Sequence, residues 1–186
     1  WLPLEKEKLF RRGIGRNLAA KNTQADWVWF TDCDIVFHDG CLDSLAEALQ
    51  GRNDILVFPK KEYTTPMLPK NNKLFTESSL NYLSEIDIEL FQMHTRDRAK
   101  GAYQIVHGDV AREIGYCDGL SLYQTPADHW CKCYEDRAFR WLVGTKGQAI
   151  DVLGVYQIRH VHKGRYRENT TWSQVRSKVR RMQETY

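Results

Sequence analysis

The order of the predicted elements indicates an α/β fold, in which a mixed, mainly parallel sheet is flanked by helices. Helix, strand, helix and strand follow one another over residues 5–59, as expected for parallel strands that are joined by crossover helices. The predicted strands are short apolar runs that are rich in β-formers, and the links between elements are short. With 186 residues, 42% of them hydrophobic, the chain suits a single domain with a substantial core.

The alternation of helices and strands is clearest in residues 1–59. Residues 23–26 form a short polar loop between the first predicted helix and the first predicted strand. Gly51 and Pro59 end the second helix and the second strand. The predicted elements are a helix over 5–22, a buried strand over 28–31, a helix over 42–49 and a strand over 54–58.

Residues 60–100 are predicted to be a variable insertion. Residues 60–73 contain prolines and two adjacent asparagines without any periodicity, which predicts a loop. Residues 77–98 are predicted to be helical in part. A long irregular insertion in a ligand-binding α/β protein is often a substrate loop or lid.

In residues 101–165 the sequence patterns of helices and strands are regular again. We predict a strand over 101–107, a helix that Asp109 caps and that runs through Ile114, and an aromatic loop over 117–133. A helix over 135–143 and strands over 148–153 and 155–158 follow. Residues 166–186 are predicted to contain a basic helix over 171–183, whose apolar stripe packs on the domain or, as a second prediction, lies on an anionic membrane surface.

The composition of the chain limits the kinds of molecule that we expect it to bind. A net charge of +3 does not indicate nucleic acid, and no apolar run approaches the about 20 residues of a membrane span. The five cysteines lack the spacing of a disulfide framework or a zinc site, so we predict reduced thiols in a cytoplasmic protein.

Three clusters of ionisable residues stand out, each far from the others in sequence. The first two clusters are carboxylates, which can bind a divalent cation or accept a proton from a hydroxyl group. The third is an imidazole pair beside basic residues, which suits a metal ion and phosphate. The clusters are Asp32/Asp34 after the first strand, Glu135/Asp136 at a helix start, and His160/His162.

The order of the motifs resembles the family 2 glycosyltransferases of the GT-A fold. The sequence Arg-Asn-x-Ala at 16–19 precedes a buried strand and the Asp-Cys-Asp triplet at 32–34. Gly-Ala-Tyr-Gln at 101–104, Ile-Gly-Tyr-Cys-Asp at 114–118, Glu-Asp-x-x-Phe-x-Trp at 135–141 and His160 follow. The second half of the chain is also similar to a galactosyltransferase-type carboxyl-terminal segment. Together the two resemblances cover about residues 11–165, and they imply a partial, Rossmann-like GT-A domain.

On the donor side, the resemblance implies a site for a nucleotide-sugar, with a UDP-sugar as the expected donor. Asp32 and Asp34 match the DxD pair that holds Mn²⁺ or Mg²⁺, with Asp34 as the more direct metal ligand. Arg16 and Asn17 are candidates to face the nucleotide or to brace the strand that follows, although a solvated basic face explains them equally well. The resemblance adds His160, with His162 as its substitute, to the metal ligands.

On the acceptor side, the resemblance implies transfer to a hydroxyl group of a saccharide or another acceptor. Asp136 matches the base that deprotonates this hydroxyl, and Glu135 matches a residue that orients the acceptor. A base opposite the leaving nucleotide implies inversion at the anomeric carbon. Tyr123 and Trp130 are candidates for stacking on a sugar ring, although packing of the loop explains them equally well.

The chain departs from the family pattern at its start, because the βαβαβ segment that grips the base and ribose has no counterpart in the sequence. We therefore expect an incomplete domain, or one completed in trans, with a sheet edge that favours a homo-oligomer. A metal-dependent phosphohydrolase and a non-catalytic remnant that binds sugar or nucleotide remain alternatives.

Overall fold

The computed structural model describes residues 2–69, 71, 72, 88–130, 134–160 and 175. The helices are α1 (Lys6–Leu9), α2 (Arg12–Asn22), α3 (Cys41–Leu49), α4 (Gly108–Ile114), α5 (Ser121–Gln124) and α6 (Glu135–Leu142), with a 3-10 turn at Ile88–Leu90. The strands are β1 (Trp27–Phe30), β2 (Ile35–Phe37), β3 (Leu56–Pro59), β4 (Lys61–Thr64), β5 (Gln92–Thr95), β6 (Gln104–His107), β7 (Gln148–Ile150) and β8 (Val155–Gln157). The predicted α/β class, with sheets flanked by helices, is confirmed.

The first sheet has the strand order β1-β6-β3-β7. Strand β6 is antiparallel to both β1 and β3, while β7 is parallel to β3. Strands β1 and β3 therefore run in the same direction, as the crossover through α3 predicts, but β6 lies between them. The sheet is mixed, and the prediction that it is mainly parallel is not confirmed, because a strand from later in the chain separates the two parallel strands.

The second sheet has the order β2-β8-β4-β5, and among its described neighbouring strands only β4 and β8 pair in parallel. Two of its strands correct the sequence predictions. Strand β4 lies within the predicted loop over 60–73, and β5 lies within the region 77–98 that was predicted to be partly helical. Strand β4 lacks an apolar pattern because its buried positions are Glu62 and Thr64, and Glu62 forms an ion pair with Arg96.

Two hydrophobic clusters lie on opposite faces of the first sheet. The cluster on the helical side includes Phe30, Leu56, Phe58, Val106, Tyr116 and Phe139. The other cluster includes Val57, Tyr103, Ile105 and Val155 and extends to the second sheet and α3. Alternation along β6 therefore places Gln104 and Val106 on the helical side, where α2, α4 and α6 pack. This placement decides which polar groups Gln104 can reach.

Some helix boundaries differ from the predictions. The helix predicted over 5–22 is broken into α1 and α2, because Arg11 has an extended backbone with φ −116° and ψ 90°. Asp109 lies in the first turn of α4 rather than at its cap. His107 caps that helix, and its side chain accepts a hydrogen bond from the Asp109 backbone N–H.

Parts of several predictions lie outside the described residues: the helical part over 77–87, His162, and the basic helix over 171–183 except for Val175. None of the helices in the described ranges is both long enough and apolar enough to cross a membrane.

Gly108 marks a close approach between α4 and the loop before β1. A Cβ atom at this position would lie 2.0 Å from the carbonyl oxygen of Ala25, and the Gly108 backbone N–H donates to the Asp26 carbonyl at 2.6 Å. We expect Gly108→Ala to lower the free energy of unfolding by about 1–3 kcal/mol, because the backbone must shift. Denaturant unfolding measures this change. Gly119→Ala is the matched control, since a Cβ atom added there would meet open space, and an equal loss in both variants would contradict the steric explanation.

Candidate active site

Asp32 lies two residues after the end of β1 and is held by two arginines of α2. Its Oδ1 atom accepts hydrogen bonds from Arg12 Nη1 and from Arg16 Nη2, both at 2.7 Å. Arg16 Nη2 also donates to the carbonyl oxygen of Thr31 at 3.0 Å. The two arginines are four positions apart, so they lie on one face of α2 and converge on the end of the strand. This carboxylate therefore has a fixed position.

Arg12 also connects Asp32 to the first residue of α6. Its Nε and Nη2 atoms lie 2.8 and 2.6 Å from Glu135 Oε1. Glu135 is 1% exposed, and its second oxygen, Oε2, is buried without a hydrogen-bond partner in the described part of the chain. A buried carboxylate needs a positive partner, because unpaired charge is costly to desolvate. Arg12 thus joins two of the three predicted clusters, although 123 positions separate it from Glu135.

A second series of contacts runs from α2 to α6 through the core. Arg16 Nη1 donates to the Tyr116 hydroxyl at 2.9 Å, and this hydroxyl donates to Gln104 Oε1 at 2.9 Å. Gln104 Nε2 in turn donates to the backbone carbonyl of Asp136 at 2.8 Å. The Asp136 carboxylate accepts a hydrogen bond from the Gly101 backbone N–H to Oδ2 at 3.1 Å. The side chain and the backbone of Asp136 are therefore both held by the segment around the start of β6.

The electrostatics of this region keep its groups in their ordinary charge states. Burial alone would lower the pKa of Arg12, but the charges of Asp32 and Glu135 outweigh this effect and raise it. Burial raises the pKa of Tyr116, and the nearby Arg16 opposes the shift only in part. Burial, together with the charges of Glu135 and Asp136, raises the pKa of the Cys117 thiol to about 12. Arg12 is thus a cation, while Tyr116 and Cys117 are protonated at neutral pH.

Asp34 lies at the start of β2, where this strand meets β8. Its carbonyl oxygen accepts from the Ile158 backbone N–H at 2.9 Å, and its Oδ1 lies 3.4 Å from Gln157 Nε2. His160 lies two residues beyond Ile158 and forms an isolated parallel bridge with Leu68. Within the described ranges, no group of three or more His, Cys, Asp or Glu side chains is arranged to share a metal ion. The structure therefore does not bring Asp32, Asp34 and His160 together as a three-ligand site.

Two carboxylates without a third protein ligand still fit Mg²⁺ or Mn²⁺. Mg²⁺ is usually bound through one or two carboxylates together with substrate phosphates, rather than by an all-protein cage. Carboxylate oxygens also suit Mn²⁺. Of these two carboxylates, Asp32 already has two charged partners at Oδ1.

Asn17 bonds to the segment between α4 and α5. Its Oδ1 accepts from the Tyr116 backbone N–H at 2.8 Å, and its Nδ2 donates to Asp118 Oδ1 at 2.7 Å. Hydrogen bonds from Asn17 and Lys21 lower the pKa of Asp118. Both polar ends of the Asn17 side chain therefore help to fix the turn before α5, and the predicted donor-side role of Asn17 stays a prediction.

The two aromatic candidates for acceptor binding pack on the first helices. Trp130 makes an edge-on contact with Phe10, with 5.5 Å between ring centroids, and remains 37% exposed. Tyr123 packs against the helical-side cluster, and its carbonyl oxygen lies 2.7 Å from the position of a Cβ atom on Gly13. Packing explains Tyr123, whereas Trp130 keeps an exposed ring surface.

Sequence reasoning did not predict roles for Arg12, Gln104 or Tyr116 at this site. A signal for Arg12 was its spacing of four residues from Arg16 on a helix that leads into the Asp32 strand. For Gln104 the signal was a polar residue directly before two apolar β-branched residues, Ile105 and Val106. The contacts of Tyr116 depend on long-range packing, and no local pattern indicates them.

The family comparison agrees with this geometry. The family model described as "Glycosyl transferase family 2" matches residues 4–104, which is more than half of the chain. The chain belongs to glycosyl transferase family 2. No curated protein and no solved structure shows a significant match to it.

Membership of glycosyl transferase family 2 supports a function in glycosyl transfer. The matched residues contain both arginines of α2, the two aspartates after β1, and Gln104. Tyr116, Glu135 and Asp136 lie beyond the match, but the fold brings them to the same place through the contacts described above. The site is therefore built from both parts of the chain.

Proposed function

We propose that this family 2 glycosyltransferase moves a sugar from a nucleotide-sugar, with a UDP-sugar as the first donor to test, to an acceptor hydroxyl group. The reaction would depend on Mn²⁺ or Mg²⁺ and invert the anomeric carbon. The observation that carries the proposal is the Arg12 side chain, which bonds to Asp32 on the proposed donor side and to Glu135 on the proposed acceptor side. It supports a single site made of two carboxylate clusters that are distant in sequence.

On the donor side, we assign Asp34 as the direct metal ligand and Asp32 as a carboxylate that Arg12 and Arg16 hold in place. A divalent cation bound there would neutralise the diphosphate leaving group. The positive charges of the two arginines also favour a diphosphate near the end of β1. The assignment accords with the two 2.7 Å contacts that already occupy one oxygen of Asp32.

On the acceptor side, we assign Asp136 as the general base. The acceptor oxygen attacks the anomeric carbon, the bond from that carbon to the diphosphate oxygen breaks, and the diphosphate leaves with the electron pair. Asp136 accepts the proton from the hydroxyl group. Its Oδ2 is held by the Gly101 N–H at 3.1 Å, so Oδ1 is the atom assigned to take the proton. Glu135 is assigned to orient the acceptor indirectly, because its buried carboxylate pairs with Arg12 and holds the start of α6, where Asp136 lies.

Titration calorimetry with UDP in the presence of Mn²⁺ tests the donor site. We expect Asp34→Ala to weaken metal-dependent UDP binding by more than about tenfold, which corresponds to about 1.4 kcal/mol. Asp39→Ala is the matched control, because Asp39 is exposed and lies five positions further along the chain. Equal affinities in the two variants would contradict the assignment of Asp34.

Calorimetry of the wild-type chain and an assay of phosphate release separate the alternatives. A wild-type chain that binds no nucleotide with either metal would indicate the non-catalytic remnant. Metal-dependent release of phosphate without a sugar acceptor would indicate a phosphohydrolase instead.

A further inference from the structure

One series of hydrogen bonds fixes the backbone at Asp136 relative to Asp32. In order, its links are Asp32 to Arg16 at 2.7 Å, Arg16 to Tyr116 at 2.9 Å, Tyr116 to Gln104 at 2.9 Å, and Gln104 to the Asp136 carbonyl at 2.8 Å. Each link lies within the usual range for a hydrogen bond. The series therefore crosses from α2 to α6 without a gap.

The series closes on itself through Arg12. This arginine bonds both to Asp32 and to Glu135, and Glu135 precedes Asp136 in the chain. We call the closed set the hydrogen-bonded ring: Arg12, Arg16, Asp32, Gln104, Tyr116, Glu135 and Asp136. Its two arms join the proposed metal-binding end of β1 to the proposed base by independent routes.

The direction of each bond in the Tyr116 arm is determined by Arg16. A guanidinium group has donors only, so the Tyr116 hydroxyl must accept from Arg16 and give its own proton to Gln104. Gln104 must then present Oε1 to Tyr116, which leaves Nε2 for the Asp136 carbonyl. Tyr116 and Gln104 are both 0% exposed, so water cannot replace a missing partner without entering the core. The arm therefore has a single arrangement of donors and acceptors.

The packing around these two positions is largely apolar. Gln104 shares the helical side of β6 with the fully buried Val106, and Tyr116 packs against Phe30 and Phe139 at centroid distances of 4.5 and 4.6 Å. Replacing both hydrogen-bonding partners by apolar groups of similar shape can be nearly neutral for stability. The polar pair thus calls for another explanation.

We infer that Tyr116 and Gln104 are positioning residues, which hold Asp136 at a set place relative to Asp32 and the donor. This inference rests on the proposed function. Neither residue touches the reacting atoms, because both are buried beneath the site. Their contribution is the alignment of the base with the acceptor hydroxyl, and alignment affects the chemical step more than donor binding.

Steady-state kinetics of the full chain tests the inference, with UDP-glucose, UDP-galactose and UDP-N-acetylglucosamine as donors and Mn²⁺ as the metal. We expect Tyr116→Phe to lower kcat by about tenfold to a hundredfold, with the donor KM within about twofold of wild type. Tyr156→Phe is the matched control, because Tyr156 stacks on Tyr63 in the second sheet, away from the ring. Gln104→Met should have the same effect as Tyr116→Phe, and the double variant should be no slower than either, because one broken link already opens the arm.

Amide hydrogen exchange without any ligand provides a second, independent readout. We expect faster exchange in α6 in Tyr116→Phe than in Tyr156→Phe, since the first turn of this helix loses its tie to β6. Equal exchange in the two variants, or equal kcat values, would overturn the inference. If the wild-type protein transfers no sugar from any of the three donors, the proposed function is contradicted for these donors. The exchange experiment needs no donor, so it still decides whether Tyr116 holds α6.

Discussion

Asp136→Asn is expected to lower kcat by about 10²- to 10⁴-fold, the usual contribution of a general base. The amide has the shape of the carboxylate, and its oxygen can still accept the hydrogen bond from the Gly101 N–H. The backbone carbonyl of residue 136 keeps its bond from Gln104. The substitution therefore removes the proton acceptor and leaves the geometry of the site in place.

Initial rates of sugar transfer measure the loss, and calorimetry with UDP and Mn²⁺ shows that the donor site is intact. Asp43→Asn is the matched control, because Asp43 is an exposed acid in the first turn of α3, just as Asp136 lies in the first turn of α6. An Asp136→Asn variant that retains wild-type kcat would exclude Asp136 as the base. NMR analysis of the product's anomeric configuration tests the proposed inversion separately.

Arg12→Met is expected to lower the free energy of unfolding by about 2 kcal/mol. Removing one partner of a buried ion pair usually costs about 3–5 kcal/mol, and the loss here should be smaller because the Arg12 side chain is 36% exposed, while that of Glu135 is 2% exposed. Methionine can preserve the packing of the aliphatic stem, but Glu135 loses both hydrogen bonds to Oε1. Most of the loss should therefore come from a carboxylate left buried without its cation.

Urea unfolding of a small set of variants measures this effect. Adding Glu135→Gln to Arg12→Met should restore part of the stability, because an amide costs less to bury than an unpaired carboxylate. Arg52→Met is the matched control, since Arg52 pairs with Asp54 at 3.0 Å and both side chains are about one-third exposed. Equal losses at the two arginines would show that burial of Glu135 does not determine the cost.

The elements around Asp32 could be predicted from the sequence because their signals are local. The apolar strand, the two aspartates directly after it and the preceding helix with Arg16 are close together in sequence, and the structure places them together. The Glu-Asp pair at the start of α6 could also be recognised from the sequence, as acidic residues at the start of a predicted helix. Its link to Asp32 could not be predicted, since the contact of Arg12 with Glu135 depends on how two distant helices pack.

The main errors in the fold predictions also have physical causes. An apolar run of three residues directly after charged residues gave too weak a signal for β2 to be predicted. Strand β4 buries a glutamate that is paired with Arg96, so its inward positions are not apolar and period-2 reasoning fails. The position of β6 between β1 and β3 depends on tertiary pairing, which the alternation of helices and strands does not encode.

The ring also has a consequence for how the chain folds. Its Arg12–Glu135 contact joins residues 123 positions apart, and the links of Arg16 to Tyr116 and of Gln104 to Asp136 span 100 and 32 positions. Bringing such distant segments together costs chain entropy before any contact compensates for it, and folding slows as the average separation of contacting residues grows. The candidate active site is thus assembled largely from non-local contacts, and its geometry depends on completing the fold as a whole.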